Sequence, residues 1–340
     1  MIRGRLPWAL LAGLVLVQIG YPLTAGTTRA GLTMATVGLG YLLSVGHALL
    51  SRGTRTALAL VAVATGGGFA VEALGVATGF PFGSYDYSGE LGPKLAGVPL
   101  IIPLAWTWMA WPAWLTAVRL TGPATPAAGA RPGPATAPGR GAAPDRPSSG
   151  LERRLAARRP NYVAARPSFG PERRLAARRP NYGRQPSWSS RSARRIALAA
   201  VGLAAWDLFL DPQMVAEGYW AWRDATPALP GLPGVPASNY LGWLLFAVLL
   251  AAALRPLAGP AVDRTDRRDA PMFALYLWTY AASVLAHAVF LRLPASAVWG
   301  GAGMALAAVP LAVALLRARR HAPEPREVDP APRPGVEATA

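Results

Sequence analysis

The chain has 340 residues, 52% of them hydrophobic, with a net charge of +17 and no cysteine. A soluble protein rarely joins such apolarity to such basicity, whereas membrane spans with arginine-rich loops do so readily. Disulfides, thiolate catalysis and cysteine metal sites are excluded, and His47, His287 and His321 lie too far apart in sequence to read as a ligand set.

A helix needs about 20 mostly apolar residues to cross a bilayer. Eight segments are candidates: Pro7–Thr24, Ala30–Leu50, Ala57–Thr78, Gly97–Leu120, Ile196–Leu210, Tyr240–Leu257, Met272–Leu293 and Ala295–Leu316. The first follows Arg3 and Arg5 and reads as an uncleaved helix rather than a signal peptide, because a second span follows at once. The fifth is short and is expected to stop at Asp211-Pro212, since the residue before proline is biased away from helix. So little chain separates the last two that a tight helical hairpin is expected. The fold class this predicts is all-α: a polytopic transmembrane bundle of about eight spans.

Lys and Arg favour the cytoplasmic side of a span. With the N-terminus inside, the inner segments hold Arg52 and Arg55, the long middle loop, Arg255, Arg264, Arg267 and Arg268, and the basic tail from Arg317. The outer segments hold only Arg29, Lys94, Arg223 and Arg292. The expected location is the cell membrane, with both termini cytoplasmic. The expected organisation is spans one to four in 1–120, a loop in 121–195, spans five to eight in 196–317 and a tail in 318–340.

Between the fourth and fifth spans lie 16 Arg and three acids, among many Pro, Ala and Gly. Arg146–Tyr162 and Arg166–Tyr182 are a tandem duplication, identical at 15 of 17 positions. Two copies are too few for a solenoid. Contact with anionic lipid or nucleic acid is one reading. A disordered cytoplasmic insertion that fixes topology is preferred, because this composition supplies no core.

Ionisable groups at bilayer depth cost about 2.5–3.5 kcal/mol on insertion scales, so they mark candidate functional positions. Glu72 and Asp207 fall within spans and Asp211 at a span end. All three belong to the outer half by the charge count. Asp207 and Asp211 stand four residues apart and share a face if the helix persists; a turn or cap role for Asp211-Pro212 remains open. His47 and His287 read as packing or hydrogen-bonding residues. Aromatic and Gly/Pro-rich segments gather on the same outer side. Part of this is an interfacial belt, which accounts for Trp8, Trp278 and Trp299. Trp106, Trp108 and Trp111 instead lie in a span that Pro103 and Pro112 are expected to interrupt. Irregular backbone at that depth lines a cavity or is buried in protein, and a cavity walled by aromatics suits a long polyene.

The segments Gly79–Trp106 (GFPFGSYDYSGELGPKLAGVPLIIPLAW), Ala205–Trp222 (AWDLFLDPQMVAEGYWAW) and Gly234–Trp243 (GVPASNYLGW) resemble the carotenoid biosynthesis family that includes the membrane carotenoid 1,2-hydratases of the bisanhydrobacterioruberin hydratase type. The resemblance runs from about the second span to the eighth and omits the arginine loop and the tail. It implies addition of water across the terminal isopropylidene double bond of an acyclic carotenoid, with no cofactor and no metal. Such chemistry needs an acid, a water-directing base and a stabiliser for a tertiary cation. A carboxyl group in an apolar site can keep its proton at neutral pH. Asp207 is the candidate acid, with Asp211 or Glu72 directing water. Tyr85, Trp106 and Trp220 are candidates to face the cation, and Asn239 to bond the water or the product hydroxyl. The partners implied are an acyclic carotenoid in the bilayer and membrane lipid, with other carotenoid-pathway enzymes an open option and no nucleic acid.

Two other readings compete. A membrane prenyltransferase would use Asp207 and Asp211 to hold a metal diphosphate, but the other acids on that side, Asp86, Glu90, Glu217 and Asp224, form no second acidic motif. A transporter or pigment-complex scaffold would use the buried acids as a proton or ion site, yet the spans show no convincing inverted repeat.

Overall fold

The computed structural model describes residues 2–122 and 190–320. The duplicated basic segment, most of the 121–195 loop and the tail from His321 onward lie outside the described residues. Eight long helical runs appear among those described. In chain order they are α1 (Ile2–Gly20), α2 (Gly26–Arg52), a run of α3 (Thr54–Leu60), one wide π turn and α4 (Gly67–Thr78), then α5 (Ile102–Thr121), α6 (Ser190–Ala216), α7 (Ala237–Ala258), α8 (Ala270–Leu285, extended by a π turn to Phe290) and α9 (Pro294–Arg320). The all-α polytopic bundle is therefore the fold. The tight hairpin between the last two runs is present, with only residues 291–293 between them.

Six runs are long and apolar enough to cross a membrane by composition; α5 and α6 are the two that are not. These two are the centre of the bundle. Helix α5 packs against α2, α6, α8 and α9, and α6 packs against α5, α7 and α9. In α5, 15 of 20 residues are buried. A helix walled by protein need not be apolar all round, which leaves room for four tryptophans in α5 and for Asp207 and Asp211 in α6. The peripheral helices instead turn large apolar side chains outward, such as Leu16, Leu58, Leu241 and Val298. An exposed apolar belt of this kind requires lipid.

Two expectations about proline are overturned. The fifth span does not stop at Asp211-Pro212; α6 starts at Ser190 and runs through Pro212 to Ala216. Nor do prolines interrupt the fourth span: Pro103 sits in the first turn of α5 and Pro112 lies inside a continuous helix. Proline removes the N–H that would bond the carbonyl four residues back. For Pro212 that carbonyl is Leu208, and the Ser296 hydroxyl of α9 donates to it at 2.7 Å. For Pro112 it is Trp108, and the Ser44 hydroxyl of α2 donates to it at 2.7 Å. Neighbouring helices thus satisfy the freed acceptors, as a low-dielectric interior demands.

Small residues permit the close approaches. A Cβ on Gly40 would fall 2.5 Å from the Trp108 ring, and one on Gly300 would fall 2.7 Å from the Phe209 ring. Glycine–aromatic packing therefore seats α5 on α2 and α6 on α9.

Short strands, absent from the all-helical reading, occupy one end of the bundle. Strand β1 (Tyr85–Tyr87) pairs antiparallel with β4 (Trp220–Trp222); β2 (Lys94–Leu95) pairs with β3 (Val98–Pro99). The opposite end gathers arginines. There Arg52 at the end of α2 bonds Asp269 before α8, and Arg195 early in α6 bonds Asp263 after α7. Helix ends thus alternate between the two poles as the charge count required.

Candidate functional site

The site is built where α4, α6, α7 and the β1–β4 ribbon meet. Helix α6 continues past Pro212, so Asp207 and Asp211 keep their four-residue spacing and point to one side. Asn239, in the first turn of α7, donates through Nδ2 to Asp207 Oδ2 at 3.2 Å and also to Asp211 Oδ2. One amide thus bridges the two carboxyls. From α4, Glu72 Oε2 accepts the phenol of Tyr85 at 2.5 Å and that of Tyr87 at 2.8 Å. Glu72, Asp207, Asp211 and Asn239 are each at most 3% exposed.

Period-two alternation explains the ribbon. In Tyr85-Asp86-Tyr87 and Trp220-Ala221-Trp222 the aromatic residues turn inward, while Asp86 and Ala221 face out. Asp86 is tied to Arg223 at 2.9 Å, and that bond holds its carboxyl below the usual range. Burial, and then the Glu72 carboxyl, push the Tyr85 and Tyr87 phenols well above theirs. Both phenols therefore stay protonated donors at any ordinary pH.

The floor is a stack of rings. Trp243 lies between Phe82, 4.1 Å away, and Trp106, 3.7 Å away. Trp106 lies against Glu72 and Trp220 against Asp211. All seven residues nominated from sequence, Glu72, Tyr85, Trp106, Asp207, Asp211, Trp220 and Asn239, line one cavity of about 30 Å³. Such a space holds one or two waters. No Lys, Arg or His lines it.

Four aromatic lining residues were not nominated: Tyr87, Trp206, Trp222 and Trp243. Tyr87 and Trp222 carried a signal, the alternating YDY and WAW triplets. Trp206 and Trp243 carried none beyond being aromatic, because their roles depend on helix rotation. Among the described residues no group of three or more His, Asp or Glu side chains is placed to hold a metal ion.

Fold and site together define a polytopic helical membrane protein with a buried, aromatic-walled cluster of carboxyl groups near one end of its spans. The model of the carotenoid biosynthesis protein family matches residues 31–131 and 173–310, more than half of the chain, and the chain belongs to that family. No curated protein and no solved structure gives a significant match.

Proposed function

We propose that this carotenoid biosynthesis protein hydrates the terminal isopropylidene double bond of an acyclic carotenoid, giving a tertiary alcohol. The observation that carries the reading is the Asp207–Asp211–Asn239 contact beside Glu72, in an aromatic cavity with no cation in its lining. Three carboxyl groups without a counter-cation share protons rather than carry three charges. One group can thus act as acid while its neighbour acts as base.

In the proposed step the Asp207 carboxyl gives its proton to the CH carbon of the alkene, and the π pair forms the new C–H bond. The cation then rests on the carbon bearing the two methyl groups. The faces of Trp106, Tyr85 and Trp220 stabilise it. Water bonds to that carbon, and Asp211 or Glu72 takes the released proton, so the net change is one water added. Asn239 orients the Asp pair and can also bond the incoming water. The proposed orientation puts the ribbon on the outer side of the cell membrane and both termini in the cytoplasm. Its support is that Arg29, Lys94, Arg223 and Arg292 are the only basic residues in the segments at that end.

A diphosphate substrate fits less well, because it needs cations that the lining does not offer. The test is expression in a host that accumulates lycopene or another acyclic carotenoid. The expected product is a pigment heavier by one water. Unchanged pigment with every acyclic carotenoid supplied, from protein shown to be folded in the membrane, would overturn the reading.

A further inference from the structure

A second cavity, of about 120 Å³, adjoins the first in the same half of the bundle. It lies between α1, α2, α5, α6 and α8, and Ala105, Trp206 and Leu210 line both spaces. Four of its lining residues end in buried polar atoms with no hydrogen-bond partner among the described residues: Tyr21 Oη, Thr36 Oγ1, Trp108 Nε1 and Thr279 Oγ1. Each of these residues is at least nine-tenths buried. A buried polar group left unpaired is destabilising, so four around one cavity, each from a different element, point to a hydroxyl-bearing occupant. Gln213 and His287, which bond each other at 3.1 Å, add further donors and acceptors. The volume accommodates several waters.

We propose that this cavity is a water-filled chamber that supplies the carboxylate site past Trp206. The carboxylate site is too small to store more than one or two waters, and the aromatic ribbon covers it. Hydration consumes one water per double bond, so a reserve next to Asp207 shortens its replacement. Trp206 packs edge-on against Trp108, their centroids 5.2 Å apart, and forms the partition. The role as source of the reacting water rests on the hydration reading; the water content of the chamber does not.

The test is X-ray radiolytic footprinting of the full chain in lipid nanodiscs, where hydroxyl radicals formed from bound water oxidise nearby methionines. Met214 lines the chamber, whereas the fully buried Met109, Met272 and Met304 line neither cavity. Met214 is expected to oxidise several-fold faster than those three. Equal rates would mean the chamber holds lipid or isoprenoid and would overturn the proposal. The Thr36→Val/Thr279→Val double variant keeps the volume and removes two hydroxyls. It is expected to slow Met214 oxidation several-fold and to cut hydration about tenfold. Unchanged Met214 oxidation in the folded double variant would count against the chamber; where that variant does not fold, the wild-type ratio alone decides. Rapid Met214 oxidation in a wild type that hydrates no acyclic carotenoid leaves the chamber standing and removes the hydration reading. A protected Met214 in a wild type that does hydrate removes the chamber alone.

Discussion

At the arginine pole, the fully buried Asp269 receives two bonds from Arg52 Nη2, at 2.7 and 2.9 Å, and a backbone bond from Asp266 at 2.7 Å. His47 lies 3.6 Å away, with Trp111 donating to its Nδ1 and its Nε2 bonded to the Arg268 carbonyl. Asp263 is held between Arg195 and Arg255. At the ribbon pole, Glu72, Asp207 and Asp211 are as deeply buried, but their hydrogen-bond partners are two phenols and one amide. Burial alone therefore does not mark a functional acid. An acid neutralised by a guanidinium is fixed as an anion and ties helices together. An acid bonded only to neutral donors keeps the option of holding or releasing a proton.

Substitutions should separate the two poles. Asp207→Asn keeps the shape and removes the proton donor. Hydration in a lycopene-producing host should fall by about 10²–10⁴-fold, with the amount of folded protein in the membrane unchanged. Wild-type turnover would sink the acid assignment. Asp269→Ala should do the reverse. It leaves Arg52, whose side chain is 6% exposed, with only the more distant Asp266 carboxylate at 3.9 Å, at a cost of up to about 3–5 kcal/mol. Thermal unfolding in detergent should drop sharply, while whatever protein folds still turns over substrate.

Asn239→Leu leaves both aspartates without their shared donor. Unsatisfied buried acceptors cost about 1–3 kcal/mol, so activity should fall about tenfold to a hundredfold, read as pigment conversion per folded protein. Tyr87→Phe removes one of two phenols from Glu72, and the loss of about 1 kcal/mol predicts about a fivefold slower hydration. Asp86→Ala, on the solvent side of the same strand, should change neither activity nor unfolding temperature, because its pair with Arg223 is exposed. Its carboxyl is held below the usual range, so the pair is complete at neutral pH and lost as pH falls through that depressed value. A large effect from Asp86→Ala would mean that the ribbon depends on its outer face.

Much of this was legible before the structure. Apolar runs of span length located the helices to within a few residues at most ends. Asp207 and Asp211 stood out because carboxyl groups are rare at membrane depth and four residues is one helical turn. What misled was proline. Pro112 and Pro212 read as breaks because a single sequence does not show which hydroxyl will meet the freed carbonyl. Ser44 and Ser296 provide it from other helices. Tyr87 was missed because helical periodicity was the pattern sought, and the ribbon follows period two.

The sequence by itself determined the bundle, the alternation of charge between its ends and the acids that lie at membrane depth. Composition and spacing are local properties of the chain, and lipid imposes a simple rule on them. Tertiary structure alone decided that α5 and α6 form the centre, that Asn239 bridges the two aspartates and that Glu72 meets Tyr85 and Tyr87 rather than an arginine. It also decided that the acids of one pole are neutralised and those of the other are not. Those facts depend on how helices rotate and pack against partners distant in sequence. Spacing along one helix does not encode that rotation, and close packing between helices fixes it.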